Sequence, residues 1–276
     1  MQNKLFDKNY LKNLCQKNDL GSPREFGQHF LIDKDPIDKM ISAGQVDDTD
    51  HIIELGPGFG SLTFALSERA KKVTAFEIEQ KLRQYWGKNE KENIEIIWGD
   101  GLDQLKAWNI EGEYKFISNL PYQITSKVIR QVLERDNKPS RIIVMVQKEV
   151  ADRICATKDK SVLTILVQLY GDPYRVCSLS PDSFYPRPAV DSTVIAIENI
   201  SDPQLDENSL FQVVKAGFKH RRKQLKNNLA SAFAVDKNRA GKLLESIIDN
   251  KQIRAQQLSV NDWRQLTLKL QQENLI

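Results

Sequence analysis

Between residues 50 and 147, short apolar runs alternate with amphipathic stretches, and this alternation limits the possible folds more than any other feature. The predicted strands are His51–Glu54, Val73–Glu77, Ile94–Trp98, Tyr114–Ser118 and Arg141–Val146. Helices are predicted between them, among others over Ser61–Arg69 and Ser126–Leu133. Strands that alternate with helices predict a parallel sheet covered on both faces, with right-handed crossovers.

The pattern changes after Gln147. Helices are predicted over Lys148–Ala156 and Leu163–Tyr170, and the strands Tyr174–Ser178 and Ser192–Ile197 are expected to close the sheet as an antiparallel pair. Four more helices follow a linker at Ser201-Asp202-Pro203, over Leu210–Phe218, Gln224–Phe233, Arg239–Ile248 and Asn261–Gln271, the last capped by Ser259 or Asn261. We therefore expect an N-terminal extension at 1–22, a large domain at 23–200 and a smaller helical domain at 205–276.

Composition excludes several classes of protein. The cysteines and histidines are few and scattered, at Cys15, Cys155, Cys177, His29, His51 and His220, so neither a zinc site nor a disulfide framework is expected. No apolar run approaches the ~20 residues that span a bilayer, and the polar, mixed-charge N-terminus does not resemble a signal peptide. We expect a monomer in the reducing cytoplasm, with no membrane partner and no bound metal.

A glycine-rich turn follows the first predicted strand, in Glu54-Leu55-Gly56-Pro57-Gly58-Phe59-Gly60. Glycines let the backbone approach a ligand, and the helix behind them favours an anionic group. Glu77, at the end of the next strand, is expected to bind ribose hydroxyls, and Asp100 follows the third strand. Ser61 stands where a dinucleotide site would have its third glycine, so the parts match S-adenosylmethionine better than NAD.

Asn119-Leu120-Pro121-Tyr122 follows the fourth predicted strand and suggests an adenine site. The Asn119 side-chain oxygen and a main-chain carbonyl, that of Leu120 or Pro121, can each accept one hydrogen of the N6 amine. Pro121 stiffens the turn, and Tyr122 offers a flat face on which a base can stack.

Basic residues concentrate after residue 200, and the densest group surrounds Phe218. Its members, predicted to lie on one basic helix that contacts RNA phosphates, are Lys215, Lys219, Arg221, Arg222, Lys223 and Lys226. Phe218, Leu225 and Leu229 are expected to face inward.

Taken together, these motifs resemble the ribosomal RNA adenine N6-dimethyltransferases, from about Phe26 to Leu229. Besides the two motifs above, the matching segments are Phe26–Leu31, Phe76–Glu79, Gln147–Val150, Phe184–Pro188 with Val190–Ser192, and Phe218–Lys223. The Glu-Leu-Gly-Pro-Gly and Phe-x-x-Arg-Arg-Lys forms favour the branch that acts on small-subunit (16S) rRNA over the erythromycin-resistance branch that acts on large-subunit rRNA.

The resemblance implies an α/β fold with a Rossmann-like, S-adenosylmethionine-dependent methyltransferase sheet and a smaller C-terminal all-helical domain. It implies a cofactor site formed by His29, Leu31, Gly56, Gly58, Glu77, Ile78, Asp100, Gly101 and Asn119. It implies a catalytic set of Asn119, Leu120, Pro121, Tyr122 and Phe184, in which Phe184 stacks on the target adenine opposite Tyr122. His29 and Ala189 depart from the family pattern, in which Asn and Lys are common there.

The expected product is dimethyladenosine at two adjacent adenosines in the 3′-terminal hairpin loop of 16S rRNA. Four alternatives remain open. They are a large-subunit rRNA methylase that confers macrolide resistance, a ribosome-assembly factor with secondary methylation, a nicotinamide-dependent oxidoreductase, and a DNA adenine methylase, although the last more often carries Pro at the position of Leu120.

Overall fold

A computed structural model describes residues 2–20, 29–203, 205–248, 250 and 252–276. The first three residues of the motif Phe26–Leu31, and the predicted domain boundary at 22/23, lie outside these residues.

Within the described residues, the main sheet has seven strands. They are β2 (His51–Leu55), β3 (Lys72–Glu77), β4 (Ile94–Trp98), β5 (Lys115–Asn119), β6 (Arg141–Gln147), β7 (Asp172–Leu179) and β9 (Ser192–Glu198). They lie side by side in the order β4-β3-β2-β5-β6-β9-β7. Strands β2 to β6 are parallel, whereas β9 is antiparallel to both β6 and β7. The predicted sheet and its antiparallel closing pair are therefore confirmed.

Burial explains why the inner strands have no polar alternation. Every residue of β6 from Ile142 to Val146 is buried, and so are Lys115 to Ser118 of β5, because helices cover both faces of the sheet. The edge strand β4 is only partly buried. A second, two-stranded sheet pairs β1 (Phe30–Leu31) with β8 (Phe184–Tyr185), and Leu31 lies opposite Phe184.

Among the residues that the structure describes, seven helices lie wholly or mostly in the part of the chain that includes the sheet. They are α1 (Lys8–Lys17), α2 (Asp35–Ala43), α3 (Ser61–Ser67), α4 (Arg83–Gly87), α5 (Gly101–Ala107), α6 (Thr125–Leu133) and α7 (Lys148–Ile154). The remaining helices are α8 (Val162–Tyr170), α9 (Glu207–Phe218), α10 (Leu225–Ala232), α11 (Lys237–Glu245) and α12 (Val260–Gln272). Short 3₁₀ helices occur at Gln2–Phe6, Gln80–Leu82, Pro181–Ser183 and Ala255–Gln257.

The chain divides into two compact units, and the division differs from the predicted one. The first unit comprises Met1–Asp152 and Gly171–Ile200, and the second comprises Arg153–Tyr170 and Ser201–Ile276. Helix α8 thus belongs with the C-terminal helices, because it is buried on nearly all sides and packs against α9 and α12. The described part of the N-terminal extension belongs to the first unit, since its Leu5, Leu11 and Leu14 share a core cluster with Phe59 and Trp86.

In the second unit, Ser259 is the N-cap of α12, as one of the two predicted alternatives has it. Its hydroxyl accepts a hydrogen bond from the Asp262 N–H, and the Asp262 carboxylate accepts one from the Ser259 N–H. The Phe218 ring stacks on Trp263, with centroids 5.7 Å apart, and Leu225 and Leu229 are buried as predicted. No helix in the described residues has the length and apolarity needed to cross a membrane.

Candidate active site

One cavity lies at the carboxyl ends of the parallel strands, where the strand order reverses between β2 and β5. This is the position at which open α/β sheets bind ligands. The cavity has a volume of about 510 Å³. It is lined by the residues that follow β2, β3, β4 and β5, together with His29, Phe30 and Leu31. Of the predicted cofactor-binding and catalytic residues, all except Phe184 line it.

The glycine-rich loop forms the cavity wall between β2 and α3. Gly56, Gly58 and Gly60 have φ values of +74°, +54° and +85°, a left-handed backbone that favours glycine. A Cβ added at Gly56 would meet nothing within 4 Å, so the backbone here faces open space. The loop is fixed from behind, because the Trp86 indole N–H donates to the Gly58 carbonyl at 3.0 Å.

Glu77 ends β3 beneath this loop and is almost fully buried. Its Oε2 accepts a hydrogen bond from the Gly58 N–H at 3.0 Å, and its Oε1 accepts one from the Glu79 N–H at 2.8 Å. Burial raises the pKa of Glu77, while these main-chain donors act in the opposite direction. Each oxygen keeps a second lone pair for a ligand hydroxyl.

Glu54, the last residue but one of β2, also lines the cavity and is only 1% exposed. Its Oε2 has no hydrogen-bond partner in the described part of the protein. Burial raises its pKa to about 8, with a further increase from the nearby Glu77 carboxylate and an opposing effect of the Thr63 hydroxyl. A buried, unpartnered carboxyl oxygen is costly, and a cationic ligand would relieve that cost. Glu54 stands near the end of a predicted strand, like Glu77, but the residues predicted to bind the cofactor or the target base do not include it.

Asp100 caps α5, since its Oδ1 accepts a hydrogen bond from the Leu102 N–H at 2.8 Å. Ile78, next to Glu77, is 61% exposed, which is unusual for a large apolar side chain. The two residues line the same cavity as Gly101. Together they present an acceptor and an apolar surface, the combination that an adenine ring requires.

Asn119 ends β5, and its side-chain Nδ2 lies 3.5 Å from the His29 carbonyl oxygen. Because Nδ2 makes this contact, Oδ1 is the atom of the amide that can accept a hydrogen from a ligand. The Pro121 carbonyl already accepts the Ile124 N–H and the Thr125 hydroxyl, both at 3.2 Å. The Leu120 carbonyl is therefore the better of the two predicted main-chain acceptors.

Tyr122 and His29 form the aromatic part of the cavity. The Tyr122 hydroxyl hydrogen-bonds the Ser192 hydroxyl at 2.7 Å, and burial raises the pKa of the phenol. The imidazole of His29 stacks on the Tyr122 ring, and its Nδ1 donates to the Pro186 carbonyl at 2.7 Å. Position 29 thus contacts Tyr122 as well as Asn119, a role that the sequence did not reveal.

Phe184 differs from its predicted position. Its side chain is 3% exposed, packs in the core cluster with Leu31 and Met40, and does not line the cavity. The pairing of β8 with β1 causes this difference, because it points Phe184 into the core beside Leu31. The ring that faces Tyr122 in the structure belongs to His29.

The predicted basic helix is wrong in its local structure. Helix α9 ends at Phe218 and α10 begins at Leu225, and the residues from Lys219 to Lys223 form exposed turns between them. The Asn228 side chain stabilises the connection by donating to the carbonyls of Gly217 and His220. None of the six predicted RNA-binding side chains forms an ion pair with a described carboxylate.

The residues of the cavity fit S-adenosylmethionine. The open backbone at Gly56 suits the amino-acid end, Glu77 suits a ribose diol, and the unpartnered Glu54 oxygen suits the positive charge of this cofactor. Within the described residues, no group of three or more His, Cys, Asp or Glu side chains could hold a metal ion.

Comparison with known proteins agrees with this geometry. A family model described as ribosomal RNA adenine dimethylase matches residues 22–272. A protein of Dehalococcoides mccartyi named ribosomal RNA small subunit methyltransferase A is 37% identical over 268 residues, which cover 94% of this chain and 91% of that protein. A protein of the same name from Clostridioides difficile is 37% identical over 278 residues, with 96% of each chain covered.

Two solved structures share the fold. A dimethyladenosine transferase from Plasmodium falciparum matches with a TM-score of 0.73 at 24% identity, covering 88% of this chain and 98% of that one. A 23S rRNA methyltransferase matches with a TM-score of 0.68 at 22% identity, covering 87% of this chain and 99% of that one. The family model and the relatives, rather than these structural matches, fix the assignment: the chain belongs to the ribosomal RNA adenine dimethylase family, whose members are S-adenosylmethionine-dependent methyltransferases.

Proposed function

We propose that this protein transfers methyl groups from S-adenosylmethionine to N6 of two adjacent adenosines in the 3′-terminal hairpin loop of small-subunit rRNA. The observation that carries the proposal is a single cavity lined both by the glycine-rich loop and by Asn119–Tyr122. A methyl donor and an adenine amine bound to these two walls would meet inside one enclosure. The names of the relatives favour the small subunit over the large one.

When bound, the cofactor supplies an electrophilic methyl group on a positively charged sulfur. The protein's task is then to prepare the nucleophile, because the N6 lone pair of adenine is delocalised into its ring. The Asn119 Oδ1 and the Leu120 carbonyl would each accept one N6 hydrogen, which favours a more tetrahedral nitrogen and directs its lone pair. Positioning and fixed dipoles of this kind account for much of enzymatic rate enhancement. No general base is required before attack, because the product ammonium loses its proton readily.

Tyr122 would supply the stacking surface for an adenine that has left its own stack. Leaving the stack costs a few kcal/mol, and stacking on an aromatic side chain returns about 1–3 kcal/mol per base. The hydrogen bond to Ser192 fixes the Tyr122 ring before RNA binds. The exposed turns at Lys219–Lys223, with Lys215 and Lys226, would contact RNA phosphates.

The test is methyl transfer from labelled S-adenosylmethionine to unmethylated small ribosomal subunits, followed by nucleoside analysis, with large subunits measured in parallel. Dimethyladenosine in the small-subunit RNA is the expected product. Label found only in large-subunit RNA would contradict the proposal and favour the resistance-type activity.

The variant Asn119→Ala separates chemistry from binding. We expect loss of methyl transfer by at least about a hundredfold, as for removal of one preorganised polar group, with binding of cofactor and RNA retained. Asn109→Ala, at an exposed asparagine outside the cavity, is the matched control. Retained turnover in Asn119→Ala would exclude the role proposed for Asn119.

A further inference from the structure

The N-terminal segment Gln2–Leu20 presents a cationic surface that the proposed active site does not use. Lys4, Lys8, Lys12 and Lys17 are all exposed, and we call these four residues the N-terminal lysine surface. Within the described residues none of them forms an ion pair or a side-chain hydrogen bond. Between these lysines, the exposed face of α1 carries the amides Asn9, Asn13 and Gln16.

The absence of acids distinguishes α1 from an ordinary solvated helix. Its sequence, KNYLKNLCQK, contains no Asp or Glu, so none of the three lysines of α1 has an acidic residue three or four positions away. The two acids beside the helix are already engaged. Asp7 caps α1 by accepting the Tyr10 N–H at 2.7 Å, and Asp19 pairs with Lys81 at 3.1 Å.

Lys8 lies at the end of α1 where a helix disfavours a positive charge. It is the first residue of α1, where the helix dipole disfavours a positive charge by roughly 0.3–1 kcal/mol. Helix stability therefore does not explain this residue, whereas a negatively charged ligand would.

The segment is held firmly and lies beside the cavity. Its Leu5, Leu11 and Leu14 pack with Phe59 of the glycine-rich loop. At its end, the Lys81 ammonium donates to the Asp19 carbonyl at 2.6 Å, and Lys81 follows the cavity-lining Glu79 by two residues. Phe30, which lines the cavity, packs against the same cluster as these leucines, so the segment lies next to the cavity wall.

We propose that the N-terminal lysine surface binds phosphates of the rRNA substrate next to the nucleotide that enters the cavity. This inference rests on the proposed function, because it takes the rRNA as the partner. Lysines bind phosphates as point charges, and asparagine and glutamine amides commonly hydrogen-bond the nucleic-acid backbone. The surface would increase affinity without touching the reacting atoms.

The test is the salt dependence of binding by a Lys8→Gln/Lys12→Gln double variant. Each lost phosphate contact reduces the slope of log affinity against log salt by about 0.7–0.9. We expect a reduction of about 1.5 for the double variant, with roughly tenfold weaker binding near physiological salt. In methyl transfer, KM for the subunit should rise while kcat at saturation stays unchanged. Glutamine has nearly the helix propensity of lysine, so circular dichroism should be unaltered.

The matched control is Lys71→Gln/Lys88→Gln. Both lysines are exposed, and Lys71 precedes β3, at the end of the sheet opposite the cavity. This control should bind like the wild type. Equal salt slopes for the wild type and the Lys8/Lys12 variant would overturn the inference.

A second comparison uses protein-free small-subunit rRNA in place of intact subunits. If the Lys8/Lys12 variant loses affinity for subunits but not for the free RNA, the surface binds a ribosomal protein and the inference is wrong. The proposed function fails in a different way, since wild-type protein would then methylate no small-subunit RNA. If the wild type methylates small-subunit RNA fully and the Lys8/Lys12 variant binds it with unchanged affinity, the inference about the lysine surface is wrong and the proposed function stands.

Discussion

The imidazole of His29 stacks on the ring of Tyr122, with centroids 5.6 Å apart and planes inclined by 28°. The same residue accepts the Asn119 amide on its carbonyl and donates from Nδ1 to Pro186. His29 thus contacts both groups proposed to hold the target base, the amide through its main-chain carbonyl and the aromatic ring through its imidazole. A base inserted between the two rings would need a wider gap than this separation provides, so RNA binding must shift one of them.

Replacing His29 tests the role of the ring contact. An aromatic pair contributes about 0.5–1.5 kcal/mol beyond burial, so His29→Ala should raise KM for RNA several-fold, measured by steady-state methyl transfer to small subunits. His51→Ala is the control, because His51 begins β2 at the end of the sheet opposite the cavity and hydrogen-bonds Thr74. An unchanged KM in His29→Ala would contradict the role.

Replacing Glu77 tests the cofactor site. The carboxylate accepts two main-chain N–H groups, and an amide in its place would direct an NH₂ group at one of them. Hydrogen bonds to charged groups contribute about 1.5–3 kcal/mol, so Glu77→Gln should weaken S-adenosylmethionine binding about 10- to 100-fold in calorimetry. Glu111→Gln, at an exposed acid outside the cavity, should bind normally. Equal affinities of Glu77→Gln and the wild type for S-adenosylmethionine would show that Glu77 does not bind the cofactor.

Glu54 should make stability depend on pH. Its pKa is about 8 in the folded protein, against an ordinary value of 4.5, so the folded state holds this proton more tightly than the unfolded chain. The stabilisation that protonated Glu54 contributes to folding is therefore full below pH 4.5 and declines as the pH rises toward 8. Above that pH it is lost and changes no further.

The variant Glu54→Gln should remove this pH dependence. Relative to wild type, its free energy of unfolding should increase by a few kcal/mol, as an order of magnitude, between pH 5 and pH 8. Urea denaturation across this range measures the difference, which isolates Glu54 because Glu77 is present in both proteins. A difference that does not change with pH would show that Glu54 is ionised throughout.

Two glycines in the helices of the second unit should respond oppositely to alanine. At Gly217 a Cβ would lie 2.4 Å from the Trp263 ring and 2.9 Å from Leu225, so Gly217→Ala should destabilise the protein by about 1–3 kcal/mol. At Gly241, inside α11, a Cβ would meet nothing within 4 Å, and Gly241→Ala should stabilise by about 0.4–1 kcal/mol. Thermal denaturation of both variants measures the pair. The close packing of Gly217 would be contradicted if the two changes had the same sign.

The sheet and most of the cavity wall could be predicted from local patterns in the sequence. The spacing of apolar residues and the length of apolar runs are local properties of the sequence. The strands from His51 to Val146 and the antiparallel closing pair could therefore be predicted with small errors in their ends. Because parallel strands end at one edge, Glu77, Asp100 and Asn119 could be expected to meet there, and they line one cavity.

Contacts between distant parts of the chain determine which further side chains face that cavity and which are turned away from it. Strand pairing between β1 and β8 turns Phe184 into the core, and the approach of His29 to Tyr122 joins residues far apart in the chain. Helix α8 likewise belongs to the second unit because its partners, α9 and α12, come much later in sequence. The raised pKa of Glu54 likewise arises from its burial among these elements. Contacts of this kind depend on packing between distant segments, and local sequence patterns do not encode which segments will pack together.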